Sequence, residues 1–134
     1  MRILGISALM AMMCVALVGC GEDGPRYVIP SQKWRDITVR IESRPAPPVA
    51  GMNEFWVILN DARGIPVPNA VVSVRAASAT WSQAIQDGHT GVYRRAIRVE
   101  DPIRQPLVVQ LRVGKEQAEL TFGLDVEPQL NDQS

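Results

Sequence analysis

The chain has 134 residues, 46% of them hydrophobic, with 14 basic and 14 acidic side chains in balance. That length suits one domain with a core of its own, and the balanced charge excludes recruitment of nucleic acid by bulk electrostatics. Two cysteines, Cys14 and Cys20, both lie near the N-terminus, so no disulfide can staple the body of the chain.

Arg2 is followed by an apolar run from Ile3 to Val18, then by Gly19, Cys20 and the acidic pair Glu22 and Asp23. A basic start, an apolar core and a small residue before the cut make a signal peptide. The run is shorter than the roughly 20 apolar residues of a spanning helix. Leu17, Val18, Gly19 and Cys20 match the bacterial lipobox, which predicts a signal peptide over 1–19 and a diacylated Cys20 carrying palmitate-like chains. Two or more chains, at about 0.8 kcal/mol per buried methylene, hold a small domain on a bilayer. Gly21, rather than aspartate, follows the cysteine, which favours outer-membrane sorting toward the periplasm in a Gram-negative host.

Removing the 19 residues before Cys20 from 134 leaves 115, with 13 basic against 14 acidic side chains. Residues 20–32, polar and containing Gly and Pro, read as a flexible tether. From there the period is two: Ile37, Val39 and Ile41 alternate with polar residues as in a half-buried strand. The prolines of RPAPP, Arg44 to Pro48, interrupt it. Glu54 to Leu59, EFWVIL, is apolar on both parities and stops at a turn from Asn60 to Gly64. Further strands are expected over Ala70 to Ala76, Thr80 to Gln86, Val92 to Val99, Leu107 to Val113 and Ala118 to Phe122. The expectation is an all-β fold: a single immunoglobulin-like antiparallel β-sandwich of about seven strands over 33–124, followed by a polar tail over 125–134. Ile37, Val39, Val72, Val74, Leu107, Val109, Leu111, Leu120 and Phe122 are its expected core.

Gly51, Asn53, Phe55 and Val57, then Asp61, Gly64, Pro66, Val67, Ala70 and Val72, then Gly91 and Tyr93, resemble the motifs of the YtkA-like family of small extracytoplasmic sandwich domains. The resemblance spans roughly Trp34 to Phe122 and implies an accessory role beside copper-handling or oxidase-assembly proteins. The chain departs from that family after Ala76, where ASATWSQA replaces a methionine-rich segment. Copper sites need roughly two to four His, Met or Cys ligands. Beyond the signal peptide and the acylated cysteine this chain has only Met52 and His89, so no metal and no cofactor is expected.

His89 sits in a Gly-flanked turn, and the pairs Glu100 with Asp101 and Glu116 with Glu119 lie in or beside turns, so no enzyme is expected. Two groups remain as partner-contact candidates. Trp56 and Ile58 point opposite to Phe55, Val57 and Leu59, and Arg94 and Arg98 share one strand face, with Arg95, Arg104 and Arg112 near them. The resulting expectation is a lipid-anchored, non-catalytic binding or assembly module for a larger envelope protein. A permanent structural subunit of an envelope machine and a copper-handling accessory are the alternatives.

Overall fold

A computed structural model describes residues 26–127. The chain is all-β, with nine strands among these residues: β1 (Gln32–Trp34), β2 (Ile37–Arg44), β3 (Gly51–Asn60), β4 (Val71–Ala76), β5 (Ser82–Gln83), β6 (Ile85–Gln86), β7 (Val92–Val99), β8 (Leu107–Val113) and β9 (Glu116–Phe122). They form two antiparallel sheets, one ordered β1-β2-β3-β7-β6 and the other β5-β4-β8-β9. The seven expected segments are all strands; the count is higher because β1 precedes them and Thr80 to Gln86 is divided between the sheets.

Alternation explains how the sheets meet. Val39, Ile41, Phe55, Val57, Tyr93 and Val99 from one sheet join Val72, Val74, Leu107, Val109, Leu111 and Phe122 from the other in one buried cluster. Each fully buried side chain of this size contributes roughly 1.5–3 kcal/mol through removal from water. Leu120 has the inward parity but is only half-buried, because β9 is an edge strand with no neighbour beyond it.

Of the expected tether over 20–32, the described part from Tyr27 to Gln32 packs against the domain. Ile29 is 3% exposed within the core cluster, and the Tyr27 hydroxyl donates to the Leu124 carbonyl at 2.8 Å. Gln32 Nε2 donates to the Thr121 carbonyl at 2.6 Å, and Arg35 pairs with Glu116, so this segment closes the side of the fold between β1 and β9. Apolar Val28 and Ile29 inside a polar stretch carry no periodicity that would reveal this. Leu124 is likewise buried, so the body reaches the end of the expected 33–124 unit. Cys20 and the signal peptide lie outside the described residues, and within them no helix is long and apolar enough to cross a membrane.

Short-range bonds hold the turns that align β3. Asn53, 1% exposed, accepts from Val49 N and donates to the Val49 and Gly51 carbonyls at 2.8–3.0 Å, tying down the Pro-rich loop before it. Asp61 accepts from the amides of Arg63 and Ile65 at 2.9 and 3.0 Å. Gly91 has φ +71°, and a Cβ there would lie 2.6 Å from the Leu59 carbonyl oxygen, so β7 can enter beside β3 only with glycine at this point.

Candidate functional site

The outer face of the five-stranded sheet is built by register. Trp56 pairs with Glu42 on β2 and Arg94 on β7, and Glu54 with Arg44 and Ala96. Met52 pairs with Arg98 and Ile58 with Arg40 and Val92. Period-two alternation sends all of these away from the core.

Trp56 is half-buried by charged neighbours. The guanidinium carbon of Arg44 lies 4.1 Å from the ring centroid and that of Arg94 4.9 Å. Such stacking contributes about 0.5–1 kcal/mol per contact at exposed positions. Arg94 also holds Glu54, Nε to Oε1 at 2.8 Å, and stands 3.7 Å from Asp87. The Arg94 hydrogen bond pulls the Glu54 carboxyl below its ordinary range, and the field of Arg44 adds to this. The Trp56 indole Nε1 is buried and has no acceptor within hydrogen-bond geometry among the described residues.

The four candidate contact residues separate by environment. Arg94 is half-buried within this cluster and Arg98 is exposed. Ile58 has the outward parity but is 7% exposed, lying mid-sheet between the side chains of Arg40 and Val92, so it offers almost no surface. Met52, 57% exposed, and Ile85, 70% exposed, supply the apolar surface instead. Arg44, Arg95 and Arg98 have no carboxylate within ion-pair distance among the described residues. A cleft of about 510 Å³ runs beside this cluster, lined by Glu54, Ile85, Gln86, Asp87, Arg94 and Arg95 among others.

Sequence reasoning missed Arg44, Glu54, Met52 and Ile85 as parts of this face. Aligning β2 against β3 across the Pro-rich loop would place Arg44 opposite Glu54, but that register is invisible without the loop geometry. The same reasoning left Trp81 unassigned; on the other sheet Arg75 stacks on it at 4.2 Å and lies 3.8 Å from Glu119.

The remaining titratable candidates have local roles. Asp101 accepts from the Ile103 and Arg104 amides, while Gln105 Oε1 accepts from the Glu100 and Asp101 amides, so this acidic pair shapes a turn. Glu116 and Glu119 pair with Arg35 and Arg75 respectively. His89 is exposed in the turn before β7, and Arg104 and Arg112 are exposed. Among the described residues no three His, Cys, Asp or Glu side chains gather as a metal cluster would require.

Comparison with protein-family models, with curated proteins and with solved structures returned no match.

Proposed function

We propose that this chain is a lipid-anchored, non-catalytic binding or assembly module of the bacterial cell envelope, an immunoglobulin-like sandwich that presents the outer face of its five-stranded sheet to a larger envelope protein. The anchor is the acylated Cys20, and in a Gram-negative host the module sits on the outer membrane facing the periplasm. The lipobox before Cys20 and the resemblance to YtkA-like extracytoplasmic domains support the location.

One observation carries the binding reading. Trp56 is held between Arg44 and Arg94 on a face that also exposes Met52 and Ile85, with Arg98 unpaired among the described residues. Aromatic and arginine side chains with low residual freedom are the groups that dominate protein contacts.

The test is site-specific photo-crosslinking in the native host. A photoreactive residue at Met52 or Arg98 should capture one discrete envelope protein, whereas the same residue at Arg112 on the other sheet should not. Equal capture from both sheets, or none from Met52 and Arg98, would sink the reading. Cys20→Ser should release the protein from the membrane fraction and abolish fatty-acid labelling; persistent labelling would remove the anchor.

A further inference from the structure

We infer that the open edge of β7, from Arg95 to Val99, takes up a short acidic extended segment of a partner protein as an added antiparallel strand. The inference rests on the binding-module reading above and names the chemistry of the partner.

The backbone directions along β7 follow from two bonds. Leu59 N donates to the Gly91 carbonyl at 2.9 Å, so Gly91 and the residues at its parity face β3. Asp87 N donates to the Val92 carbonyl at 2.8 Å, so Val92 and the residues at its parity face the opposite way. Strand alternation therefore points the N–H and C=O groups of Ala96 and Arg98 at the open side. β6 pairs only Tyr93 and Arg94. Continuing that register would set Gln83 against Ala96, but Gln83 pairs with Ser73 in the other sheet, the chain having crossed at buried Ala84. The crossing strips Ala96 and Arg98 of a partner, and none of the remaining hydrogen bonds among the described residues satisfies them.

The two edges of the four-stranded sheet are occupied or differently charged. On β4, the Val72 and Ala76 carbonyls accept from Ala84 and Ala79. On β9, the Thr121 carbonyl accepts from Gln32, and the nearby charges are Glu116 and Glu119. The β7 edge is basic on both faces: Arg98 points outward, and Arg95, although at the inward parity of Tyr93 and Ile97, is exposed. Like charges on an edge block self-pairing. The same arginines favour an acidic strand and reject a basic one. Because Arg95 and Arg98 lie on opposite faces three residues apart, the complementary segment carries acidic residues three apart.

The test uses the full chain purified from membranes in detergent, labelled with nitrogen-15, and the capped hexapeptide Thr-Glu-Val-Val-Glu-Thr. Without peptide, the amides of Ala96 and Arg98 should exchange with solvent at least about 100-fold faster than those of Arg95 and Ile97. Peptide should slow the Ala96 and Arg98 amides selectively, and its Glu-to-Lys counterpart should not. N-methylating one set of alternate peptide amides should abolish binding, while methylating the other set should spare it. Arg95→Glu and Arg98→Glu, both exposed changes, should each weaken binding by about tenfold.

Protection of Ala96 and Arg98 before peptide is added would overturn the inference, as would equal binding of the lysine peptide or of both methylated peptides. Unchanged affinity in both charge variants would do the same. Sedimentation showing a dimer lost in Arg98→Glu would make the occupant a second copy and overturn it too. Crosslinking in the host separates the two proposals: a captured partner without peptide binding removes only the added strand, and peptide binding without a captured partner removes only the envelope-module reading.

Discussion

Arg94 stands directly across from Trp56 in the β3–β7 ladder, its guanidinium carbon 4.9 Å from the centre of the indole and its Nε 2.8 Å from Glu54. One side chain thus stacks on an aromatic ring and bonds a carboxylate two residues along the same strand. A cation–π contact and a charge-assisted hydrogen bond restrain the same guanidinium, which lowers the entropy lost when another molecule meets this face.

Truncating that ring should have a modest effect on the fold. Trp56 is half-buried and outside the core cluster, so Trp56→Ala should cost about 1–2.5 kcal/mol, less than the roughly 3–5 kcal/mol of emptying a fully buried aromatic site. Urea denaturation measures this, and photo-crosslinking from Met52 in the same variant should fall. A loss above about 4 kcal/mol would assign Trp56 to the packing of the domain rather than to its surface.

The Glu54 carboxyl provides a pH prediction. Its folded value lies below the ordinary 4.5, with the Arg94 hydrogen bond as the first cause. Folding therefore favours the ionised form, and the contribution is complete above the unfolded value and lost as pH falls through the lower folded one. A carbon-13 titration of Glu54 should show a midpoint below 4.5, and Arg94→Gln should move it upward. A midpoint at or above the ordinary value in the native protein would mean that the Arg94–Glu54 bond is not formed in solution.

Tyr93 ties β7 to the segment before β4. Its hydroxyl donates to the Val67 carbonyl and accepts from the Ala70 amide, each at 3.0 Å, while the ring is 1% exposed. Burial raises its phenol above the ordinary 10.0. Tyr93→Phe should keep the ring packing but leave two backbone groups without their partner, costing about 1–3 kcal/mol by denaturation. An unchanged stability would show that water replaces the hydroxyl at no cost.

Gly91→Ala should be more damaging than its size suggests. The left-handed conformation alone costs about 1–2 kcal/mol for a residue with a Cβ, and the new atom would meet the Leu59 carbonyl at 2.6 Å. A total above about 2 kcal/mol is expected, with Gly114→Ala, where φ is +61° and no atom lies within 4 Å, as the milder control. Equal losses at the two glycines would remove the close approach as the cause.

Much of this architecture is written locally. Ile37, Val39, Val72, Val74, Leu107, Val109 and Leu111 lie in alternating runs, and all are buried. Period-two patterning specifies which side of a strand avoids water without reference to its neighbours. Asp61, Gly64, Gly88 and Gly91 mark turns for equally local reasons. Ile29, Ile58, Leu120 and the division at Ala84 escape that logic, because their surroundings depend on distant strands.

The sequence by itself therefore determined most of the strands, most of their inward faces and the turns, since alternation and turn chemistry act over a few residues. Only the tertiary structure decided that Arg44 and Arg94 flank Trp56, that Ile58 is shielded while Ile85 is exposed, and that Ala96 and Arg98 face an empty edge. Those outcomes depend on strand order and register, which join residues as far apart as Arg44, Trp56 and Arg94 through backbone pairing that no local pattern encodes.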